Sequence, residues 1–285
     1  LDHATTSFAF TLMGDMNLFD YWYIDDVSII SSNKAETSDF NGDGQTDILW
    51  RNMSTGQNAV WYMDGTERSG SAYLSSLSDT NWTIAGLGDF NSDNKTDLMW
   101  RNTSTGQNVV WYMDGITRSS SAYLPSISDT AWVVGDCADM NCDGRPDILW
   151  RNTMTGENAV WYMNGVTRTG TAYLPQLSDI AWKMVGSGDL DLDGEPDILW
   201  RNTTTGQNAV WYMNNYIREG SAYLDTQSTS WEIVGCGDFN GDGRPDILWR
   251  HKTTGQNGIW LMDNLTKTKV VMLDTLSDTN WKIVN

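Results

Sequence analysis

The stretch that decides the fold is Asp39-Phe40-Asn41-Gly42-Asp43-Gly44-Gln45-Thr46-Asp47-Ile48-Leu49-Trp50. Oxygen-bearing side chains stand at its positions 1, 3, 5 and 9, a glycine stands at position 6, and an apolar β-forming run follows. A hard cation such as Ca²⁺ requires six to eight oxygen ligands at short range. Gly44 permits the sharp turn because it has no Cβ and can adopt a positive φ. The stretch therefore predicts a calcium loop that leads into a β-strand.

Four further copies of this loop follow, beginning at Asp89, Asp139, Asp189 and Asp238, at spacings of 50, 50, 50 and 49 residues. A period in this range is typical of solenoids, propellers and arrays. We expect one Ca²⁺ in each loop, about five in all, held by the side chains at positions 1, 3, 5 and 9 and by the backbone carbonyl at position 7. The predicted ligands are Asp39, Asn41, Asp43, Gln45, Asp47, Asp89, Asn91, Asp93, Lys95, Asp97, Asp139, Asn141, Asp143, Arg145, Asp147, Asp189, Asp191, Asp193, Glu195, Asp197, Asp238, Asn240, Asp242, Arg244 and Asp246.

An EF-hand is excluded, because that loop requires a bidentate Glu at position 12, where each copy here has a tryptophan. A solvated acidic turn is the alternative reading of any single loop, but five copies in register favour calcium. The second loop departs from the pattern, since Asn94 replaces the glycine. Asn tolerates left-handed backbone geometry better than most residues, so the second loop stays a candidate site.

The chain has 285 residues and a formal net charge of −19, which disfavours nucleic acid and anionic membranes as partners. Much of this charge lies in the acidic loops, so it does not require a basic partner. No run of 18 apolar residues is present, which predicts no transmembrane helix. The chain begins at Leu1 and shows no signal peptide, so it reads as a mature or trimmed form. Loops of this type suit millimolar calcium, and we expect an extracellular protein.

Three cysteines, Cys137, Cys142 and Cys236, are too few for a disulfide scaffold. Cys137 and Cys142 are close enough in sequence to pair. Cys236 occupies the same repeat position as Cys137, which favours small buried thiols.

Each repeat reads as four short strands, which in the first repeat are centred on 47–52, 58–63, 71–74 and 82–88. Four strands per 40 to 50 residues are typical of a β-propeller blade. The glycine-rich run at 82–88 suits the crowded innermost position, and the first blade lacks such a run before its loop. Its counterpart is 281–285, at the other end of the chain. We predict an all-β, five-bladed β-propeller of four-stranded blades, closed by the C-terminal strand. The alternative is an open array, completed by another chain or by sequence not present here.

Fifteen of the 16 tryptophans recur three per repeat. Their large apolar area suits the wedge-shaped gaps between blades, so we expect most of them in the core rather than in a ligand platform.

Residues 1–38 lie outside the repeat, and we assign them as an N-terminal β extension preceding a propeller domain at 39–285. Two strand candidates, 5–12 and 19–30, flank a turn signal at 14–17, which predicts a β-hairpin. The second strand resembles the last strand of jelly-roll carbohydrate-binding modules. A hairpin without its own core is expected to pack on the propeller or to add to the sheet edge of a neighbouring molecule. The residues assigned to assembly are Tyr21, Trp22, Tyr23, Ile24, Val27 and Ile29.

The repeat resembles the VCBS/FG-GAP family, which includes the calcium-loop blades of integrin α propellers. The resemblance rests on the Trp-x-x-x-Gly-x-Gly-Asp-Phe-Asn pattern and the following Asp-(Ile/Leu)-(Leu/Met)-Trp-Arg, as in 82–102 and 231–250, and it covers 39–285. It implies an extracellular β-propeller with calcium in its loops, and a role in adhesion, surface attachment or glycan binding, usually without catalysis. The departures are Asn94, the pair His251-Lys252, and the N-terminal segment.

Two functions remain open, and catalysis is disfavoured because His3 and His251 have no nucleophile motif beside them. The preferred hypothesis is a structural or adhesive subunit that self-assembles head to tail through residues 1–38, a geometry that forms filaments when the rotation does not close. The alternative is a lectin that binds glycans through the recurring Arg51, Gln57 and Asn58 beside tryptophan and tyrosine. Glycosylation is predicted at the sequons of Asn52, Asn81, Asn102, Asn202 and Asn264.

Overall fold

The structure is a computed structural model that describes residues 38–284. The six predicted assembly residues and the predicted hairpin lie outside the described residues. Of the N-terminal extension assigned to 1–38, only Ser38 is described. These three assignments therefore stay predictions. In the described part of the chain, no helix is both long enough and apolar enough to cross a membrane.

Twenty strands form five antiparallel, four-stranded sheets. In chain order they are β1 (Ile48–Asn52), β2 (Asn58–Asp64), β3 (Glu67–Leu74), β4 (Trp82–Gly88), β5 (Asp97–Asn102), β6 (Asn108–Asp114), β7 (Thr117–Leu124), β8 (Trp132–Ala138), β9 (Asp147–Asn152), β10 (Asn158–Asn164), β11 (Thr167–Leu174), β12 (Trp182–Gly188), β13 (Asp197–Asn202), β14 (Asn208–Asn214), β15 (Ile217–Leu224), β16 (Trp231–Gly237), β17 (Asp246–His251), β18 (Asn257–Asp263), β19 (Thr266–Leu273) and β20 (Trp281–Val284).

The sheets are the five blades of a β-propeller. Four of them follow chain order, such as β4-β5-β6-β7, and the fifth has the order β20-β1-β2-β3. The strands β4, β8, β12, β16 and β20 lie innermost and contact one another in a closed ring. Glycine suits this position because backbones approach closely there: a Cβ on Gly86 of β4 would lie 2.3 Å from the Cys137 sulfur of β8. The predicted five-bladed architecture is confirmed.

The first blade draws its inner strand from both ends of the propeller. Trp281–Val284 pairs with Leu49–Asn52 of β1, with Ile283 opposite Trp50. Ser38 completes the strand, because the Asp47 amide donates a 2.8 Å hydrogen bond to the Ser38 carbonyl. In the second blade the corresponding pair is Gly88 and Asp97, which stand where Ser38 and Asp47 stand in the first. The C-terminal strand therefore closes the ring as predicted, and the open array is excluded.

The outer strands are longer than the sequence predicts. The third strand was expected at 71–74 but begins at Glu67, eight residues in all. Gly65 has a positive φ of 59° and makes a tight turn, so the ladder starts at once with Asp64 opposite Glu67. The register of the two strands shifts between Met63, which is opposite Arg68, and Tyr62, which is opposite Gly70. Residues 67–70 give no apolar alternation because they line the exposed outer edge of the blade.

The core consists of five clusters, each between neighbouring blades. In one, Leu49 and Val60 of the first blade pack against Trp100 and Trp111 of the second. The five tryptophans of the Trp100 type are completely buried or nearly so, and the Trp100 and Trp111 rings lie 4.6 Å apart. The tryptophans that begin the inner strands, such as Trp82, are only half-buried. The prediction that most tryptophans belong to the core between blades is confirmed.

The three cysteines form no disulfide with one another. Cys137 is buried in β8 and Cys142 is exposed in the third acidic loop. Cys236 of β16 lies against Gly186 of β12, as Cys137 lies against Gly86. The expectation of small buried thiols is therefore met by Cys137, whereas Cys236 is partly exposed and Cys142 is exposed.

Candidate metal centre

Each acidic loop leads into the second strand of a blade, so all five loops occupy equivalent places around the ring. The aspartate at position 9 anchors the loop to the sheet. In the first loop Asp47 is 2% exposed, its Oδ2 accepts a 2.9 Å bond from the Phe40 amide, and its Oδ1 accepts a 2.9 Å bond from the Met63 amide. Oδ1 accepts the corresponding β-strand amide in the other four loops, at Asp97, Asp147, Asp197 and Asp246.

These five buried carboxylates resist ionisation. Burial, with a smaller contribution from the other acidic groups of the same loop, raises the pKa of Asp47 and Asp246 to about 6 and that of Asp97, Asp147 and Asp197 to about 7. No described Lys or Arg forms an ion pair with any of the five. A bound cation would stabilise the ionised form, because an opposite charge a few ångströms away offsets desolvation.

The aspartate at position 1 folds the loop around itself. Asp39 accepts the Gly42 amide at 2.7 Å through Oδ1 and the Gly44 amide at 2.8 Å through Oδ2. Both glycines have positive φ, 79° and 85°. Asn94, which replaces the position-6 glycine in the second loop, has a φ of 64° and gives the same amide to Asp89. The expectation that Asn94 adopts the left-handed geometry is confirmed.

The residue at position 4 also has a left-handed backbone conformation in every loop, which the sequence pattern did not predict. Ser92, Cys142 and Leu192 have φ values of 60°, 55° and 66° where the first and fifth loops have glycine. The glycines at position 4 of those two loops were the only sequence signal. An L-residue in this conformation costs roughly 1–2 kcal/mol, so the side-chain-to-amide hydrogen bonds must hold these loops in a strained form.

The fourth loop best fits a metal ion. One ligand oxygen each from Asp189, Asp191 and Asp197 lies within 4.8 Å of the others. This loop alone has an aspartate rather than an asparagine at position 3. Three carboxylates, with carbonyl or water oxygens, form the ligand set that Ca²⁺ prefers. This acidic triad could therefore hold a divalent cation.

The other four loops bring the predicted ligands close without the same convergence of oxygens. At position 3 their asparagine donates Nδ2 to the aspartate at position 5, as Asn41 does to Asp43 at 2.8 Å. In the third loop Asp147 Oδ2 is buried without a hydrogen-bond partner among the described residues, which is the condition a cation would relieve. At position 7 the side chains of Lys95 and Arg244 pair with aspartates on hairpin turns, so only their carbonyls remain ligand candidates. Metal binding in these four loops stays a prediction.

The recurring arginine is structural, which corrects the set of glycan donors considered from the sequence. Arg101 is 3% exposed and donates through its two terminal nitrogens to the carbonyls of Gly106, Ile127 and Asp129 and to Asn108 Oδ1, at 3.0–3.4 Å. Its guanidinium also lies 4.8 Å from the Trp150 ring centroid in the next blade. The same contacts recur in all five blades, at Arg51, Arg101, Arg151, Arg201 and Arg250. The arginines and asparagines of that set are buried, and only the residue of the Gln57 type faces solvent.

Three of the predicted glycosylation sites are buried. Asn52, Asn102 and Asn202 are 3–5% exposed. Their Oδ1 atoms cap the following turn, as Asn52 accepts the amides of Ser54 and Thr55. Burial of the amide disfavours a glycan at these three, because the sugar requires a solvent-facing side chain. Asn81 and Asn264 are exposed, and their glycosylation stays a prediction.

The inner strands enclose a cavity of about 340 Å³, lined in part by Asp136, Glu232 and Lys282. Asp136 stands where three other inner strands have glycine. It accepts hydrogen bonds from Ser187 Oγ at 2.7 Å and from the Cys137 amide at 2.8 Å, and burial raises its pKa to about 6. Burial, with a smaller contribution from Asp136, also raises the pKa of the nearby Cys236 thiol.

His251 has a turn-capping role. Its Nδ1 accepts the amides of Thr253 and Thr254 at 3.3 and 3.2 Å, and its ring meets Trp231 edge-on at 5.1 Å. It thereby replaces the asparagine that caps this turn in the other blades, which explains the departure seen in the sequence.

Comparison with known proteins identifies the repeat. The chain matches the FG-GAP-like repeat at residues 39–100, 89–150, 139–200 and 189–249. No curated protein matches it. Similar solved structures include a nidogen/laminin complex (13% identity, 81% of this chain and 79% of that one, TM-score 0.49) and a protein of unknown function from Bacteroides caccae (11%, 79% and 72%, 0.42). Another is a putative 6-phosphogluconolactonase from Bacteroides uniformis (12%, 82% and 69%, 0.43). The four overlapping matches span most of the described ring, and the chain belongs to the family of FG-GAP-like repeat proteins.

Proposed function

We propose that this protein is a calcium-stabilised, non-catalytic structural or adhesive propeller that works outside the cell. The observation that carries the proposal is the five-fold acidic loop, in which a buried aspartate has a raised pKa and no basic ion-pair partner among the described residues. A divalent cation in each loop supplies the missing positive charge. Five cations would also remove much of the self-repulsion of a chain with net charge −19.

A non-catalytic role is supported by how the reactive groups are used. His251 caps a turn, and most of the buried acids anchor loops. FG-GAP propellers are typically non-catalytic and often extracellular, and an extracellular site supplies calcium at the millimolar levels that such loops need.

Self-assembly through residues 1–38 is part of the proposal. The outer strands β3, β7, β11, β15 and β19 each pair on one side only within their sheets. An unpaired edge can accept a strand from another molecule, and residues 1–38 carry the strand-forming pattern to supply it. Electron microscopy of the full chain beside a chain beginning at Ser38, which keeps the residue that pairs with Asp47, tests this. We expect filaments from the first and single rings from the second, whereas single rings from both would refute assembly through this segment.

Calcium binding is tested by thermal unfolding in 10 mM CaCl₂, in 10 mM MgCl₂ and in EDTA. With dissociation constants of about 10⁻⁴ to 10⁻³ M, each occupied loop adds about 1.4–2.7 kcal/mol to the free energy of unfolding. We expect a higher Tm in calcium than in either other condition. Equal Tm values in calcium and EDTA would refute the calcium proposal.

The variant Asp191→Asn tests whether calcium stabilises the protein through the fourth loop. Asp191→Asn converts its acidic triad to the asparagine pattern of the other loops, so we expect weaker calcium affinity and a smaller Tm difference. Glu67→Gln is the matched control, because it also removes one exposed negative charge but lies outside every loop. Equal calcium responses in the two variants would argue against a metal site at Asp191.

A further inference from the structure

Four tyrosines project from the rim of the propeller at the same position of successive outer strands. Tyr73, Tyr123, Tyr173 and Tyr223 are each 69–71% exposed. In the fifth blade the position belongs to Met272, which is 53% exposed. Among the described residues the four hydroxyls have no hydrogen-bond partner, so hydrogen bonding within the fold does not account for the choice of tyrosine over phenylalanine. Single exposed apolar residues are ordinary on a protein surface, but a repeated aromatic ring at one place in four blades requires a separate explanation.

Strand register places two further side chains on the same face of each blade. In the second blade Tyr123 is opposite Val109. Trp82 is opposite Asn102, whose amide donates a hydrogen bond to the Gln107 carbonyl. Cross-strand partners point to one side and alternate residues of a strand share a face. Trp82, Gln107 and Tyr123 therefore lie on one face. We call this set of three the aromatic platform of the blade.

In two of the blades the two rings of the platform approach each other across the sheet. The Trp182 and Tyr223 centroids lie 6.3 Å apart at an interplanar angle of 48°, and those of Trp281 and Tyr73 lie 6.4 Å apart at 52°. The tryptophan is half-buried and therefore fixed, while the tyrosine lies open to solvent. The result is a rigid aromatic surface with one accessible side.

A carboxamide completes the platform. Gln107 is exposed, and its Oε1 accepts the Thr105 hydroxyl at 3.2 Å, which orients the amide and leaves Nε2 to donate outward. The same contact fixes Gln57, Gln207 and Gln256, and in the third blade Glu157 takes this place. A flat ring beside an oriented amide suits a pyranose, because the C–H face of the sugar covers an aromatic ring while its equatorial hydroxyls hydrogen-bond to a planar amide.

The charge pattern selects among glycans. None of the platforms contains a Lys or Arg, and the chain carries a net charge of −19, which disfavours sulfated or carboxylated sugars. The platforms are also separate from one another, one per blade. A folded protein partner would need a contiguous apolar patch of several hundred Å², whereas a glycan with repeating units can engage separate platforms at once.

We propose that the aromatic platforms bind neutral glycans, one sugar unit per blade, and that the four tyrosine platforms act multivalently. Of the donors considered from the sequence it keeps only the exposed Gln57-type residue, because the Arg51-type arginines and the Asn58-type asparagines are buried. It rests on the proposed adhesive function, since it names the partner that the adhesive surface recognises.

The test uses the full chain in calcium. Binding is measured on an array of neutral oligosaccharides and by affinity electrophoresis in native gels that contain a soluble β-glucan, α-mannan or galactomannan, with heparin gels for comparison. We expect binding to at least one neutral glycan. The variant Tyr73→Ala/Tyr123→Ala/Tyr173→Ala/Tyr223→Ala should lower the apparent affinity about 100-fold or more, because avidity is lost with the platforms. Tyr216→Ala is the matched control, since Tyr216 is 46% exposed but lies on a hairpin outside the platforms.

A gain-of-function variant keeps the test independent of folding defects. Met272→Tyr restores the platform of the fifth blade, where Gly258 leaves room for the ring, and should strengthen retardation in the same gel. Absence of binding to every neutral glycan, binding only in heparin, or unchanged binding by the quadruple variant would each overturn the proposal. The calcium response of Tm is measured on the same samples: if it persists while glycan binding fails, only the glycan proposal falls.

Discussion

Replacing Arg101 by Met should sharply destabilise the propeller, and the structure indicates by how much. The buried guanidinium makes four hydrogen bonds of 3.0–3.4 Å, three of them to backbone carbonyls: one in a turn of its own blade and two in the connection to the next blade. Methionine keeps most of the side-chain volume and the contact with Trp150, but it provides no donor. The variant therefore isolates the polar contacts from the packing.

The expected loss combines opposing terms. A hydrogen bond from a charged donor contributes about 1.5–3 kcal/mol, and Arg101 uses two terminal nitrogens. Burial opposes the charge and lowers the pKa of Arg101, so part of this gain is cancelled. The variant leaves buried or partly buried neutral acceptors without a donor, at about 1–3 kcal/mol for each one that stays unsatisfied, and we expect a net loss of about 3–5 kcal/mol. This is a large fraction of the 5–15 kcal/mol typical of a folded domain.

The assay is urea unfolding followed by tryptophan fluorescence at saturating calcium. Arg118→Met is the matched control, because Arg118 also stacks on a tryptophan, 4.5 Å from the Trp111 centroid, but is exposed and bonds only Ser121 Oγ at 2.9 Å. We expect the control to lose about 1 kcal/mol or less. If both variants lose the same free energy, the stacking contact rather than the buried donor network stabilises the blade, and the reasoning is refuted.

Three further predictions follow from the same structure. Burial raises the pKa of Asp136 from 3.8 to about 6, so the folded state favours the protonated carboxyl and the free energy of unfolding falls as pH rises from about 4 through 6. Asp136→Asn should remove this fall and raise the free energy of unfolding by about 2–3 kcal/mol relative to wild type above pH 6. Identical pH profiles of urea unfolding for the two proteins would contradict this prediction. Leu192→Gly should relieve the strain of a positive φ and raise stability by up to about 1 kcal/mol, whereas Gly42→Ala should lower it by about 1 kcal/mol, as measured by Tm in calcium. Deleting residues 281–285 should leave the inner edge of β1 unpaired and give a broad calorimetric transition at lower temperature, and an unchanged sharp transition would show that β20 does not close the ring.

The blades were predictable because their signals are local and repeated. The turn at Gly65, the apolar run of β2 and the glycine-rich run of β4 each identify a strand by neighbouring residues alone. Even the closure, which is not local, was predictable, because Trp281-Lys282-Ile283-Val284 repeats the start of β4 and the first blade lacks that element. The extension of β3 back to Glu67 was not predictable from pattern, since its polar residues follow from an exposed edge rather than from a core.

The candidate site was predicted by residue type and not by contact. Spacing predicts Asp47 as a ligand, but its hydrogen bond from the Met63 amide depends on how β1 and β2 align. The left-handed backbone at Leu192 gave no signal, because leucine is a poor choice there and only the fold imposes it. The exposure of the recurring polar residues was not predictable, since Arg51 is buried and Gln57 is exposed. Sequence alternation says which residues share a face, but not whether another blade covers that face.

The divided inner strand of the first blade has a consequence for the order of events during synthesis. Four blades consist of contiguous segments, so each can form from local hairpins soon after its residues are made. The pairing of Asn52 with Trp281 joins the two ends of the ring, and closing a loop of that length costs about 5 kcal/mol in chain entropy. Until the last strand arrives, β1 presents an uncovered edge next to Trp50. The ring therefore closes last, and its nascent form is the state in which the first blade is most exposed to pairing with another chain.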